Sequence, residues 1–190
     1  MPKRLIHEAQ DQASEGSYER ALALLDEVLT IAPENVQAHH ERGLVLGHLN
    51  RRREAIASFE AALDLDPMSP GSRPWLARNL TKLGEHRRAG EEWLRHLRDR
   101  PDGPPGMGVS PMDWTNCAEQ FALAGDTKQA ITLLEEYLAQ HAPRVTRYVV
   151  HETAPLRLLA RLHDEAGNST RAEDLRARAR TSAHRAPADR

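Results

Sequence analysis

One spacing constrains this chain more than any other: small residues, turn residues and prolines return together every 34 positions. Ala21, Ala55 and Ala89 stand 34 residues apart, and Pro33, Pro67 and Pro101 keep step with them. A fixed period of this length marks a repeat architecture, in which one unit cannot bury its own apolar face and must stack on its neighbours. The clearest copy runs from Pro33 to Pro67, PENVQAHHERGLVLGHLNRRREAIASFEAALDLDP. Gly43 stands where two helices would touch, Asn50 turns the chain, Ala55 and Phe59 answer from the second half, and Pro67 closes the unit.

With Pro2 as the first place of the frame, five units follow at about 2–35, 36–69, 70–101, 111–143 and 153–186. Apolar residues recur at helical spacing inside them, as in Leu22, Leu25, Val28 and Leu29 or Leu76, Leu80 and Leu83, so each unit is expected to be two amphipathic helices around a turn. No strand pattern competes. The eighth place holds Ala9, Gly43, Ala77, Ala118 and Ala160, and the twentieth holds Ala21, Ala55, Ala89, Ala130 and Ala172. Small residues at both places let paired helices approach closely, where larger side chains would splay them. Gly16, Gly84, Gly125 and Gly167 are expected to take positive φ at helix C-termini.

Two connections break the period, since Ala89 to Ala130 spans 41 residues and Ala130 to Ala172 spans 42. The first insertion, DGPPGMGVS at 102–110, reads as a Pro/Gly loop ending in Ser110 as a helix N-cap, with Pro111 at the first helical position. The second, RVTRYVVHE at 144–152, carries Val145, Tyr148 and Val149 at helical spacing, and reads equally as an added helical turn or a plain longer connection.

The recurring small residue, turn glycine, alanine, aromatic or leucine, and closing proline resemble the tetratricopeptide repeat family over almost the whole chain. The resemblance implies an all-α fold: an α-solenoid of about five helix-turn-helix repeats in a right-handed superhelix, a single solenoid over 1–186 with a tail at 187–190. Departures fall at the ends. Glu8 and Gln12 replace apolar residues in the first unit, and His163 and Arg176 do so in the last. Such polar intrusion is expected of terminal repeats, which have a neighbour on one face only.

Composition narrows the function. A net charge of −2 gives no global attraction to nucleic acid or anionic lipid, so any electrostatic recognition must be local. Cys117 is the single cysteine and can make neither an internal disulfide nor a cysteine-pair metal site. The chain has no run approaching the roughly 20 apolar residues that span a bilayer and no apolar leader, which places it, as an expectation, in the cytoplasm. Lysine occurs only at Lys3, Lys82 and Lys128, an arginine-rich bias that suits a GC-rich bacterial genome.

Catalysis and cofactors find little support. His40 and His48 lie eight residues apart, about 12 Å along one helix, too far to share a metal ion. Neither an HExxH pattern nor a phosphate-binding glycine loop occurs. Cys117 falls where Leu76 and Leu159 fall in other units, a core place in which a thiol is inert. The expectation is a protein that is not an enzyme and has no metal or cofactor.

What remains is the surface made by the first helices. In the family that the chain resembles, these line a concave groove, and the resemblance puts His40, His48, Trp75, Arg78, Lys82, Asn116, Glu119, Arg157 and Arg161 at its ligand-contacting places. Arg78/Lys82 and Arg157/Arg161 are each i, i+4 pairs whose like charges repel by a few tenths of a kcal/mol, a repulsion that an anionic ligand would relieve. The opposing possibility is that Glu119, Asp164 and Glu165 neutralise the arginines. The family's clamp for chaperone C-termini needs Lys and Asn where this chain has Ile6, Gln10, Glu41, Gly71 and Trp75. The expected activity is therefore that of a protein-binding adaptor or scaffold holding an acidic partner segment. A nucleic-acid-binding repeat using the same arginines is the alternative, disfavoured by an aromatic content of 4%. Self-association end to end is a third. The basic stretch from Arg176 reads as a solvated capping helix with a frayed end.

Overall fold

The computed structural model describes residues 1–99, 110–141 and 153–184, and everything described is helix or short turn. Among the described residues there are ten helices and no strand. They pair as α1 (Pro2–Ser14) with α2 (Tyr18–Ile31), α3 (Val36–His48) with α4 (Arg52–Leu65), α5 (Ser72–Lys82) with α6 (His86–Asp99), α7 (Pro111–Leu123) with α8 (Thr127–His141), and α9 (Thr153–Glu165) with α10 (Ser169–His184), one pair to each expected unit. The fold is an all-α solenoid of helix-turn-helix repeats. Two compact units make up the chain, residues 1–92 and 93–190. The second expected insertion, the 187–190 tail and all of the first insertion except Ser110 lie outside the described residues.

Turns form where expected. Gly16, Gly84, Gly125 and Gly167 have φ between 77° and 84°, and Asn50 takes the same left-handed role at φ 61°. The helix start after the first insertion is a reciprocal cap: Ser110 Oγ accepts from the Asp113 backbone N–H at 3.3 Å, while Asp113 Oδ2 accepts from the Ser110 backbone N–H at 2.8 Å.

In the unit spanning residues 1–92, first helices lie beside first helices, α1 against α3 and α3 against α5, with α2 and α4 packed behind them. Leu25, Val28, Leu46, Phe59 and Leu80 are fully buried between the layers. All described residues at the eighth and twentieth places are buried, Ala21, Ala55, Ala89, Ala130 and Ala172 at 0% exposure. The tightest approach is at Gly43, where a Cβ would lie 2.6 Å from the Phe59 ring. In this unit the polar side chains that cross the layers have their hydrogen bonds met. Arg42 joins α2 to α4 by donating to Asp26 at 2.6 Å and to the buried Ser58 hydroxyl at 2.8 Å. Arg73 of α5 reaches Glu92 of α6 at 3.0 Å.

In the other unit, α7 packs on α8, α9 on α10, and α7 on α9. Trp93, Phe121, Leu134, Leu159, Leu162 and Leu175 fill its interior. Here one expectation is corrected. Arg176 does face solvent and pairs with Asp164, as a terminal repeat requires, but His163 is buried at 8% exposure. It occupies the place that Leu46, Leu80 and Phe121 hold in other units, so the helix pairing carries it inward whatever its polarity. Neither ring nitrogen has a hydrogen-bond partner, and the Glu135 carboxylate, 3.7 Å from Nε2, is too distant to serve.

Two outcomes are expected. Gly43→Ala gains helix propensity of about 0.5–1 kcal/mol but drives a methyl into the enclosed Phe59 ring, and overpacking of about 1–3 kcal/mol prevails. Gly47→Ala, whose Cβ would meet only the Asn79 amide at 3.8 Å, stabilises instead. Equal signs for the two in urea titration would contradict the packing described. His163→Leu removes an unsatisfied buried group and raises stability by about 1–3 kcal/mol, whereas a lower thermal midpoint would show that the ring is satisfied in solution.

Candidate partner-binding faces

The first helices carry every side chain that the sequence nominated, and each compact unit presents its own set. In residues 1–92 these are His40 and His48 on α3 and Trp75, Arg78 and Lys82 on α5. Helical periodicity places Trp75, Arg78 and Lys82 three and four residues apart, hence on one stripe. All three are exposed. The Arg78 guanidinium sits over the Trp75 indole, 5.0 Å from the ring centroid, a cation–π contact. The backbone beneath is fixed as well, because buried Asn79 donates through Nδ2 to the Trp75 carbonyl at 2.8 Å.

The two histidines differ. His48 is exposed and stacks on Tyr18 of the preceding repeat, with ring centroids 4.8 Å apart and planes within 5° of parallel. His40 is half-buried, its edge on Phe59 and its Nδ1 2.8 Å from the Ser72 hydroxyl, which in turn lies 2.8 Å from the Ser69 hydroxyl. Burial lowers the His40 pKa, opposed by the nearby Glu41 carboxylate, so its neutral form is favoured. This ring forms part of the wall between α3 and α5 more than it offers a charge to a ligand.

In residues 93–190 the nominated residues are Asn116 and Glu119 on α7 and Arg157 and Arg161 on α9. Asn116 and Glu119 are half-buried, and the two arginines are exposed one turn apart. Arg161 is answered within the fold, 3.8 Å from Glu119 and 3.6 Å from Glu165. Asp164 is taken by Arg176. Arg157, by contrast, has no ion-pair partner among the described residues. The charge balance foreseen as the opposing possibility therefore operates on one arginine of the pair and not on the other.

Chemistry beyond binding has no support from these side chains. Cys117 is fully buried, and desolvation pushes its thiol pKa up to about 12 against the influence of Arg98, so at neutral pH it is a protonated packing residue. Among the described residues no three His, Cys, Asp or Glu side chains are grouped to hold a metal ion, and no helix is long and apolar enough to cross a membrane.

The turn between α3 and α4 was not nominated from the sequence. Arg51, Arg52, Arg53, Asn50 and Glu54 join Lys82 and Leu83 around a shallow depression of about 340 Å³. The run of three arginines was visible, but its convergence with α5 depends on the stacking of the repeats.

A family model described as tetratricopeptide repeat matches residues 7–70 and 40–104. Together these span 7–104, just over half of the 190 residues. No curated protein matches the sequence. Among solved structures, MamA from Desulfovibrio magneticus RS-1 is similar at 14% identity, with 96% of this chain and 95% of that chain covered and a TM-score of 0.75. YrrB, described as a TPR protein with an unusual peptide-binding site, is similar at 18% identity, covering 94% and 84%, with a TM-score of 0.73. A Podosopora anserina putative kinesin light chain with nearly identical TPR-like repeats is similar at 19% identity, covering 96% of each chain, with a TM-score of 0.72. Repeat period, turn chemistry, helix pairing and family match agree: the chain belongs to the tetratricopeptide repeat family.

Proposed function

We propose that this protein is a non-catalytic interaction scaffold that holds an acidic segment of a protein partner along the exposed faces of its first helices. Tetratricopeptide repeats are in general protein-interaction modules, so a protein or peptide partner follows from the family. The acidic character of the ligand is the finer reading, and one observation carries it: Arg78 is exposed with its guanidinium over the Trp75 indole, 5.0 Å from the ring centroid, and Lys82 stands one turn further along the same stripe. A guanidinium offers a planar fork of donors that matches a carboxylate, while the indole beside it offers apolar area to a neighbouring side chain. Arg157 on α9 adds an exposed cation with no ion-pair partner among the described residues.

A peptide suits these faces better than a nucleic acid. Trp93 and Trp114 are buried at 1% and 8% exposure, which leaves Trp75 as the one exposed tryptophan among the described residues. Sequence-tolerant binding of single strands relies on several stacking platforms. YrrB, whose fold this chain shares, is likewise described as having a peptide-binding site.

The test is affinity capture from native lysate with the wild-type protein beside Arg78→Glu/Arg157→Glu, both substitutions at exposed positions. The expected outcome is a wild-type partner that withstands moderate salt and binds the double variant roughly tenfold or more weakly at unchanged thermal midpoint. Recovery of the same proteins by both, or capture of nucleic acid that dissociates steeply with salt, would overturn the reading.

A further inference from the structure

The depression between the α3–α4 turn and the end of α5 has a charge arrangement that folding does not explain. Its lining carries four cations, Arg51, Arg52, Arg53 and Lys82, and a single acid, Glu54. That acid is already occupied, because Arg51 grips it through two hydrogen bonds of 2.7 and 2.6 Å. Arg52, Arg53 and Lys82 remain, and none has an ion-pair partner among the described residues. In the same compact unit Arg42 is answered by Asp26, Arg73 by Glu92, and Arg88 by Glu60 and Glu85, while Arg4 on α1 and Arg20 on α2, like Arg52 and Arg53, have no ion-pair partner among the described residues.

Helix electrostatics make the cluster less expected still. Arg52 and Arg53 open α4, where the macrodipole is positive and favours acids. Arg52 and Arg53 repel one another and gain nothing from the start of α4, whereas Lys82, the last residue of α5, is favoured by the negative end of its own helix, so helix electrostatics leave the two arginines unaccounted for. Leu83, 37% exposed at the rim, adds an apolar contact beside the charges.

We propose that this depression is an anion-binding site, separate from the exposed first-helix faces except for Lys82, that receives a multiply charged oxyanion on a protein segment. Two guanidinium forks and one ammonium match the oxygens of a phosphorylated side chain or of two adjacent carboxylates. The site does not depend on the proposed acidic ligand of the α5 and α9 faces, because Arg52 and Arg53 belong to neither.

Three synthetic peptides of one sequence test it, with a central phosphoserine, a central Asp-Asp pair or a central serine, titrated against full-length protein by fluorescence anisotropy and by amide chemical shifts. The phosphoserine or the Asp-Asp peptide is expected to bind roughly tenfold more tightly than the serine peptide, and the tighter of the two identifies the source of the anion. Shifts should centre on Asn50–Glu54 and Leu83. R52E and R53E should each weaken binding about fivefold with thermal midpoints unchanged or raised, since an acid suits that helix end. R20E, a charge reversal on α2, and R78E, on the α5 face, should change it less than about twofold. Equal binding of the three peptides, or equal loss in R20E, would overturn the site as diffuse electrostatics. Tighter binding of a single-stranded RNA at the same amides would overturn its assignment to a protein segment. Loss in R78E without loss in R52E would return the anion to the first-helix face.

Discussion

The rest of the structure depends on the close contact of two helices at small residues. The eighth and twentieth places of every described repeat hold alanine or glycine withdrawn from solvent, and at Gly43 the paired helix comes so near that a Cβ would lie 2.6 Å from the Phe59 ring. At that separation larger neighbours such as Leu25, Phe59, Trp93 and Leu134 can close over the contact and meet the next repeat. Dispersion and burial then act along the whole length of each helix pair, which no single pair could sustain alone. The glycine and asparagine turns follow from the same requirement, since a hairpin of helices that touch must reverse within very few residues, and positive φ achieves this.

Packing so regular decides the fate of side chains by their place in the frame, sometimes against their chemistry. His163 enters the interior because its place is an inward one, although neither nitrogen finds a partner there. Arg42 meets a similar demand differently, reaching the hydroxyl of buried Ser58 while its guanidinium edge meets Asp26. His40 with Ser72 and Ser69 forms a third solution, a short polar chain between adjacent first helices.

Nearly all of the helical framework was legible in the sequence, because period, turn residues and small-residue places are local or simply additive along the chain. Ser110 as a cap and Cys117 as an inert core residue were legible for the same reason. Charge pairing was not. Whether Arg161 meets Glu119 depends on the separation of α7 and α9, while Arg157, one turn earlier on α9, has no ion-pair partner among the described residues. The stack of Tyr18 on His48 and the gathering of Arg52, Arg53 and Lys82 likewise join residues from different repeats. Such pairings are long-range in sequence, and composition carries no trace of them. His163 shows the opposite failure, a local reading of polarity overruled by the place that the residue occupies.

The functional surface follows from the same division. Interior places are occupied by packing, which leaves the exposed stripes and turns to carry charges such as Arg52, Arg53, Lys82 and Arg157, none with an ion-pair partner among the described residues. The central claim is that buried small residues in paired helices make this framework. It is tested most directly by equilibrium unfolding of Ala21→Val, Ala55→Val, Ala130→Val and Ala172→Val beside Ala57→Val, an exposed alanine of α4 that carries the same helix-propensity change. The account expects each buried variant to lose about 1–3 kcal/mol more than the exposed one. Buried and exposed variants of equal stability would contradict it.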